Sequence, residues 1–393
     1  MHAAADYPVL VAGAGIGGLS AAIALGRRGL TVHVLEAEAE FGEVGAGLQI
    51  GPNGSRIVES WGLGDKLKAI SVRPQMLVIR DALAGKRLAT MPLGDDIKKR
   101  HGGPYQVVER RRLHSMLLAA AREVPGVTIS SSFRVASIET GGAGVRIMSG
   151  DGRGLEGRAL ICADGARSRL RSLLFGGAPA PSGKVAWRAT VAPSALPGRP
   201  DKDAVSLWLA PNTHLVLYLC GPDGPLNAVA VVDESAAGLQ GGESGVPELM
   251  AHFADWPAEV RDMLGHFAGW IKWPLWGLPP LEHWSKGAVT LLGDAAHPIL
   301  PFLASGAVLA LEDAEVLAVE LARSPADAAE ALKRYEARRL PRAGRVVAAS
   351  ARMGEIYHMS GAMRLARNAT LAAIPRQLLL KRHDWLYGFR VTW

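Results

Sequence analysis

Gly13, Gly15 and Gly18 stand in the G-x-G-x-x-G spacing at the end of a short apolar run, and Glu36 follows them. Each residue type has a task at that spacing. Gly13 permits a tight turn, Gly15 lets the backbone approach a pyrophosphate, and Gly18 lets a helix pack closely on a strand. The unpaired N–H groups at the start of that helix carry roughly half a positive charge, which suits phosphate. Glu36 can accept hydrogen bonds from a ribose diol. These residues need a strand, a helix and a second strand around them. Val9–Ala12 reads as the first strand, and residues 31–35 as the second, ended by Glu36. Between them Leu19, Ala22, Ile23 and Leu25 give an apolar helix face closed by Arg27, Arg28 and Gly29. The spacing implies an adenine dinucleotide without choosing between FAD and NAD. Gly152, Gly154 and Gly157 repeat it between two strands, where no helix could hold phosphate, and read as a hairpin turn.

Three later stretches narrow the choice. "LLGDAAHPILPFLASGAVLALEDA" (291–314) ends a strand at Gly293 and Asp294, passes Pro301 in a loop of small residues, and opens a helix near Gly306. Ala310, Leu311, Ala314, Leu317 and Ala318 form the helix's buried face, and Ser324 and Pro325 stop it. "LICADGARSRLR" (160–171) ends another strand at Asp164 and Gly165, followed by Ser168 and Arg171. "VVERRRLHSML" (107–117) places Arg110 at the start of an amphipathic helix.

Together with the glycines, these motifs resemble the group A FAD-dependent aromatic hydroxylases, in their salicylate hydroxylase-like branch. The resemblance runs from the first strand to "HDWLYGF" near the carboxyl terminus. It implies an α/β fold: a Rossmann-like FAD-binding domain from residues 1–180 and 281–393, including C-terminal helices, with an inserted, mainly antiparallel substrate sheet at 181–280. It implies that Asp294 binds the ribityl chain, that Pro301 and Gly306 set a helix end toward the flavin, and that Arg110 and Asp164 contact FAD. "FGEVGAGLQIGPN" (41–53) is similar to the segment that passes the flavin ring, with Gly45 and Gly47 allowing close approach. Two positions depart from the pattern: Ser305 stands where glutamine is common, and Arg112 where an acidic residue is frequent.

Between about 181 and 280 short alternating segments, "VAWRATV", "AVSLWLAP" and "HLVLYLC", predict an antiparallel sheet. His214, Val216 and Tyr218 share one side of such a strand. His214 and Tyr218 either orient a phenol or its carboxylate or simply line a sheet face, and the resemblance favours the first. Half of the ten tryptophans lie between 256 and 284; interface packing explains them better than an aromatic box. His297 in the same loop as Asp294 is either catalytic or a loop histidine bonded to backbone.

The balance of the chain limits its class. It has 393 residues, 49% hydrophobic and 21% charged, and a net charge of +7 from scattered arginines. A solvated, Arg-rich surface explains that charge better than a field for anionic substrates. No stripe of basic residues interleaves with aromatics, so no nucleic-acid partner is expected; neither is a metal site. Cys162 and Cys220 lie in apolar, strand-like runs and cannot make a disulfide framework, so a cytoplasmic location is expected. The first residues read as a strand and not a signal peptide, no segment is long and apolar enough to span a bilayer, and the basic C-terminal helices (about 326–382) are expected to pack on the FAD domain. A monomer or a homodimer is equally compatible.

The resemblance implies hydroxylation of a small aromatic substrate. NADH or NADPH reduces FAD, dioxygen adds to give a flavin hydroperoxide, and one oxygen passes to an electron-rich ring carbon. A base near the phenol, His214 through Tyr218, would help. A reductase, halogenase or epoxidase on the same scaffold is the alternative, and a flavin-binding scaffold or an NAD-dependent dehydrogenase stands further off. Nothing in the residues names the ring.

Overall fold

The computed structural model describes residues 7–42, 47–141, 144–177, 180–198, 200–234, 242–243 and 246–392. Gly45 lies outside them. The strand Val9–Ala12 is buried at every position, as expected of a parallel strand covered on both faces. It pairs in parallel with Val32–Leu35 on one side and Ala159–Cys162 on the other. Val127–Ser130 and Val289–Leu291 extend the sheet, and the short antiparallel Ser285–Lys286 completes six strands. Helix Ile16–Gly26 is buried along almost its whole length, packed between this sheet and helix Gly306–Arg323.

That second helix carries an unexpected load. The apolar residues foreseen for its buried face are buried, but so are Glu312, Asp313, Glu315 and Glu320. Arginines answer them: Arg339 lies 2.9 Å from Glu312, Arg28 2.5 Å from Glu315, and Arg338 2.6 Å from Glu320. A carboxylate in the interior needs such partners, because desolvating an ion alone costs several kcal/mol.

The other large sheet has eight strands. Gly242–Glu243, Ile271–Gly277, Ala180–Val191, Leu226–Asp233, Thr213–Leu219 and Ala204–Ala210 are antiparallel neighbours in that order. Two further strands, Met76–Asp81 and Arg87–Pro92, extend it beyond the 181–280 segment, with Met76–Asp81 parallel to Ala204–Ala210. One face of this sheet holds Trp187, Leu215, Ala228 and Ala230 against Phe253, Trp256, Phe267 and Trp270 from the segment of short helices. The opposite face is fixed by register: Arg188 stands across from Val229, Val229 from Val216, and Tyr218 from Asn227. Gly154 pairs with Met148 in a separate three-stranded antiparallel sheet, so the second glycine series is a hairpin. The C-terminal helices, Ala328–Tyr357, Gly361–Ala373 and Arg376–Lys381, pack on helix Gly306–Arg323 and on strand Arg87–Pro92. Among the described residues no helix is long and apolar enough to cross a membrane.

Candidate active site

The three glycines sit at the carboxyl end of the first strand. Gly13 has φ +110°, and a Cβ on it would lie 2.4 Å from the carbonyl oxygen of Ala163; one on Gly18 would lie 1.9 Å from that of Gly13. Only glycine fits such an approach. Gly15 precedes helix Ile16–Gly26 with extended backbone, and no side chain caps that helix. Across the turn, Glu36 accepts hydrogen bonds from the backbone N–H of Ala14 at 2.8 Å and of Glu38 at 3.0 Å.

The loop carrying Asp294 is pinned from two sides. Arg171 donates to the carbonyls of Ala295 at 3.2 Å, Ala296 at 2.8 Å and Pro279 at 2.6 Å. From below, Asp313 accepts from Gly293 N–H at 3.0 Å and Arg339 Nε at 2.6 Å, and its Oδ2 lies 2.6 Å from His297 Nε2. Burial would raise the Asp313 carboxyl, but His297 and Arg339 outweigh it and hold it at about 2. His297 is therefore buried against Asp313 and the ring of Trp284. Asp294 is exposed within a cleft, and a Cβ on Gly306 would lie 3.8 Å from its Oδ1. Asp164 accepts from Ser168 Oγ and from Leu170 N–H at 3.1 Å, so it also caps the helix Arg169–Phe175. Ser305 donates to Leu303 O at 2.8 Å, and Arg112 pairs with Glu109 at 3.1 Å, so both unusual residues are engaged locally.

That cleft is a cavity of about 1050 Å³ between the two sheets. Arg110, Asp164, Asp294 and Pro301 line one wall; Arg188, Thr190, Ile271, Trp273 and Trp276 line the other. Of the five clustered tryptophans, Trp256, Trp270 and Trp284 are buried in cores, whereas Trp273 and Trp276 are 44% and 43% exposed and face the cavity mouth. Arg167 lies over the Trp273 ring at 5.6 Å.

His214, Tyr218 and His297 do not line this cavity. The Tyr218 hydroxyl donates to Gly47 O at 3.0 Å, and a Cβ on Gly47 would lie 2.3 Å from the Tyr218 ring. Burial pushes the Tyr218 phenol up, beyond the range of tyrosine in water. His214 lies behind Phe302, whose ring centroid is 5.4 Å away, with Nδ1 2.8 Å from His358 Nε2. His358 Nδ1 lies 2.7 Å from Asp233 Oδ1, which also accepts from Lys184. Burial first, then His358 and Lys184, hold His214 well below its ordinary value, so it is neutral near pH 7. The chain of bonds then assigns its proton. A carboxylate can only accept, so His358 donates from Nδ1 and accepts at Nε2. With His358 neutral, His214 donates from Nδ1, which leaves its Nε2 unprotonated.

Several of these residues escaped the sequence. Arg188 left one signal, a lone arginine in an apolar strand two residues before Thr190. His358 and Asp313 left none, since their partners lie far away in the chain.

The profile of the FAD binding domain family matches residues 6–350. A 3-hydroxybenzoate 6-hydroxylase of Polaromonas naphthalenivorans (strain CJ2) is 37% identical over 98% of this chain and 97% of its own. The chain is a group A flavoprotein monooxygenase. A 3-amino-4-hydroxybenzoate 2-monooxygenase of Streptomyces platensis is 35% identical over 98% of the chain and 96% of its own length. Among solved structures, Klebsiella pneumoniae HpxO complexed with FAD and uric acid superposes with TM-score 0.84 at 26% identity, covering 97% of each chain. A salicylate hydroxylase substrate complex gives TM-score 0.82 at 23% identity over 98% of this chain and 96% of that one, a likeness of fold. The monooxygenase uses FAD, with NADH or NADPH as reductant, and hydroxylates an aromatic substrate. The backbone cradle at Gly13, the uncapped helix behind Gly15 and the carboxylates of Glu36 and Asp294 fit that cofactor. Bound, FAD supplies the electron transfer and oxygen activation that no side chain can.

Proposed function

We propose that the monooxygenase hydroxylates a single-ring, hydroxybenzoate-type acid, with 3-hydroxybenzoate the first compound to try. One observation carries this reading: the cavity joins Asp164 and Asp294, carboxylates suited to FAD, with a wall that is aromatic, apolar and cationic. A ring gains by burial against Ile271 and Trp273, and an acid gains from the positive wall. The relatives that act on hydroxylated benzoates support the same class.

In this proposal Gly13, Gly15, Gly18 and Glu36 hold the adenosine diphosphate half of FAD, and Arg110 and Asp164 its middle. Asp294 takes the ribityl hydroxyls, Gly47 and Pro301 flank the ring, and Gly293 and Gly306 set the loop and helix around it. His297 acts through Asp313 as a positioning residue for that loop. His214 orients the phenol by accepting a hydrogen bond at its unprotonated Nε2 once the ring passes Phe302, and Tyr218 holds the segment at Gly47. Cytoplasmic residence belongs to the proposal, supported by two free, buried cysteines, and so does a monomer or homodimer as the working form.

The test is oxidation of NADH and NADPH by the FAD-loaded enzyme across hydroxybenzoates, hydroxypyridine carboxylates and neutral phenols, with peroxide followed alongside. Fast oxidation with little peroxide for a hydroxybenzoate is expected. Coupled turnover only with neutral or polycyclic phenols would overturn the substrate class.

A further inference from the structure

We propose that Arg188 is the anchor for the substrate's carboxylate and sets the enzyme's preference for aromatic acids over neutral phenols; this rests on the substrate class proposed above. Most other interior arginines are matched. Arg339 has Asp313 and Glu312, Arg342 has Glu312, and Arg171 has three carbonyls. Two are not: Arg80 lies over the Trp208 ring, away from the cavity, whereas Arg188 lines the cavity, no hydrogen bond or ion pair among the described residues reaches its guanidinium, and its buried Nε has no partner. A cation withdrawn from water without a counter-charge is costly, so its position calls for an anion that arrives with the ligand.

Two of the three carboxylates that line the cavity are engaged elsewhere. Glu109 pairs with Arg111 and Arg112, and Asp164 is taken up by Ser168 and the Leu170 N–H. Arg188 and Thr190 are alternate residues of one strand, and both line the cavity. The apolar Ile271 and Val229 stand beside Arg188 in register. A guanidinium so placed offers a planar fork that matches a carboxylate through two parallel hydrogen bonds. The phosphates of FAD or of the nicotinamide are the other anions present in turnover. Arg188 lies on the eight-stranded sheet, whereas the phosphate turn belongs to the six-stranded one.

The test compares wild type, Arg188→Gln and Arg188→Lys, each FAD-loaded, by titrating flavin absorbance with 3-hydroxybenzoate and with its uncharged amide. Arg188→Gln should weaken binding of the acid about 10- to 100-fold, the loss of a charged hydrogen-bonded pair. The amide should change by less than about threefold, with Arg188→Lys intermediate for the acid and both FAD affinity and the KM for NADH unchanged. Equal weakening of acid and amide, no change in either, or a loss confined to FAD or NADH would each overturn the anchor. If Arg188→Gln does not hold FAD, Arg188→Lys decides by the same acid-against-amide comparison. A wild type that binds the amide as tightly as the acid overturns the substrate class and the anchor together. A wild type that prefers the acid, with unaffected variants, overturns the anchor alone.

Discussion

Replacing Asp313 by asparagine removes one charge at a site with no access to water. In the wild type this carboxylate accepts from Gly293 N–H and Arg339 Nε, and its Oδ2 meets His297 Nε2. An amide would turn an NH₂ toward one of these groups, and leave Arg339 facing Glu312 alone. The size of the loss can be worked in two ways. The carboxyl's titration is lowered from 3.8 to about 2, which at about 1.4 kcal/mol per pH unit is on the order of 2–3 kcal/mol. Breaking a buried pair by removing one partner costs about 3–5 kcal/mol. The sign follows from the direction. The folded value is depressed, so the contribution is present above the unfolded value near 4 and is lost as pH falls toward 2. Asp313→Asn should therefore lower the stability of the holoenzyme in urea by about 2–5 kcal/mol at pH 7 and flatten the wild type's decline between about pH 4 and 2. FAD should dissociate faster, because the loop bearing Asp294 loses its lower pin. An unchanged urea midpoint with an unchanged acid limb would refute the reasoning.

Asp294→Ala should lose FAD on gel filtration while remaining folded by circular dichroism; full retention would remove its ribityl role. Gly13→Ala should abolish FAD binding, since its Cβ would fall 2.4 Å from a carbonyl oxygen at φ +110°; a yellow, active variant would contradict that. His214 is held well below its ordinary value by burial, so wild-type stability should fall as pH drops below about 6.5, where the unfolded chain takes the proton. His214→Gln should lessen that fall, and should reduce product yield more than FAD affinity. A variant with the wild-type profile and yield would show that the histidine only fills space.

The nucleotide turn was readable because its determinants are contiguous: a buried strand, three glycines and an uncapped helix are all set within about twenty residues. The loop of Asp294 and the helix behind it were readable for the same reason, and their ends at Gly306 and Ser324 fall where glycine and proline place them. What failed to show is what depends on distant pairing. Met76–Asp81 joins the eight-stranded sheet by lying beside Ala204–Ala210, and no local pattern in "MLVIRD" announces that neighbour. Likewise His214 could be read as facing a substrate, but its partner His358 arrives from the turn that ends a helix, 144 positions later. The acids of "LEDAE" broke the expected apolar face because the arginines that neutralise them come from residues 28, 339 and 342.

The strand Ala180–Val191 writes two texts in alternating letters. Arg188 and Thr190 address the cavity and Trp187 the opposite core, while Ala189 packs in that core and also borders the cavity. Substitution at an odd or an even position edits one text and leaves the other intact, so ligand preference can drift while the fold is conserved. Deleting a single residue before position 187 would exchange the two frames, delivering the indole of Trp187 to the ligand and the guanidinium of Arg188 to an apolar interior. Selection on this segment should therefore tolerate changes of letter and reject changes of length.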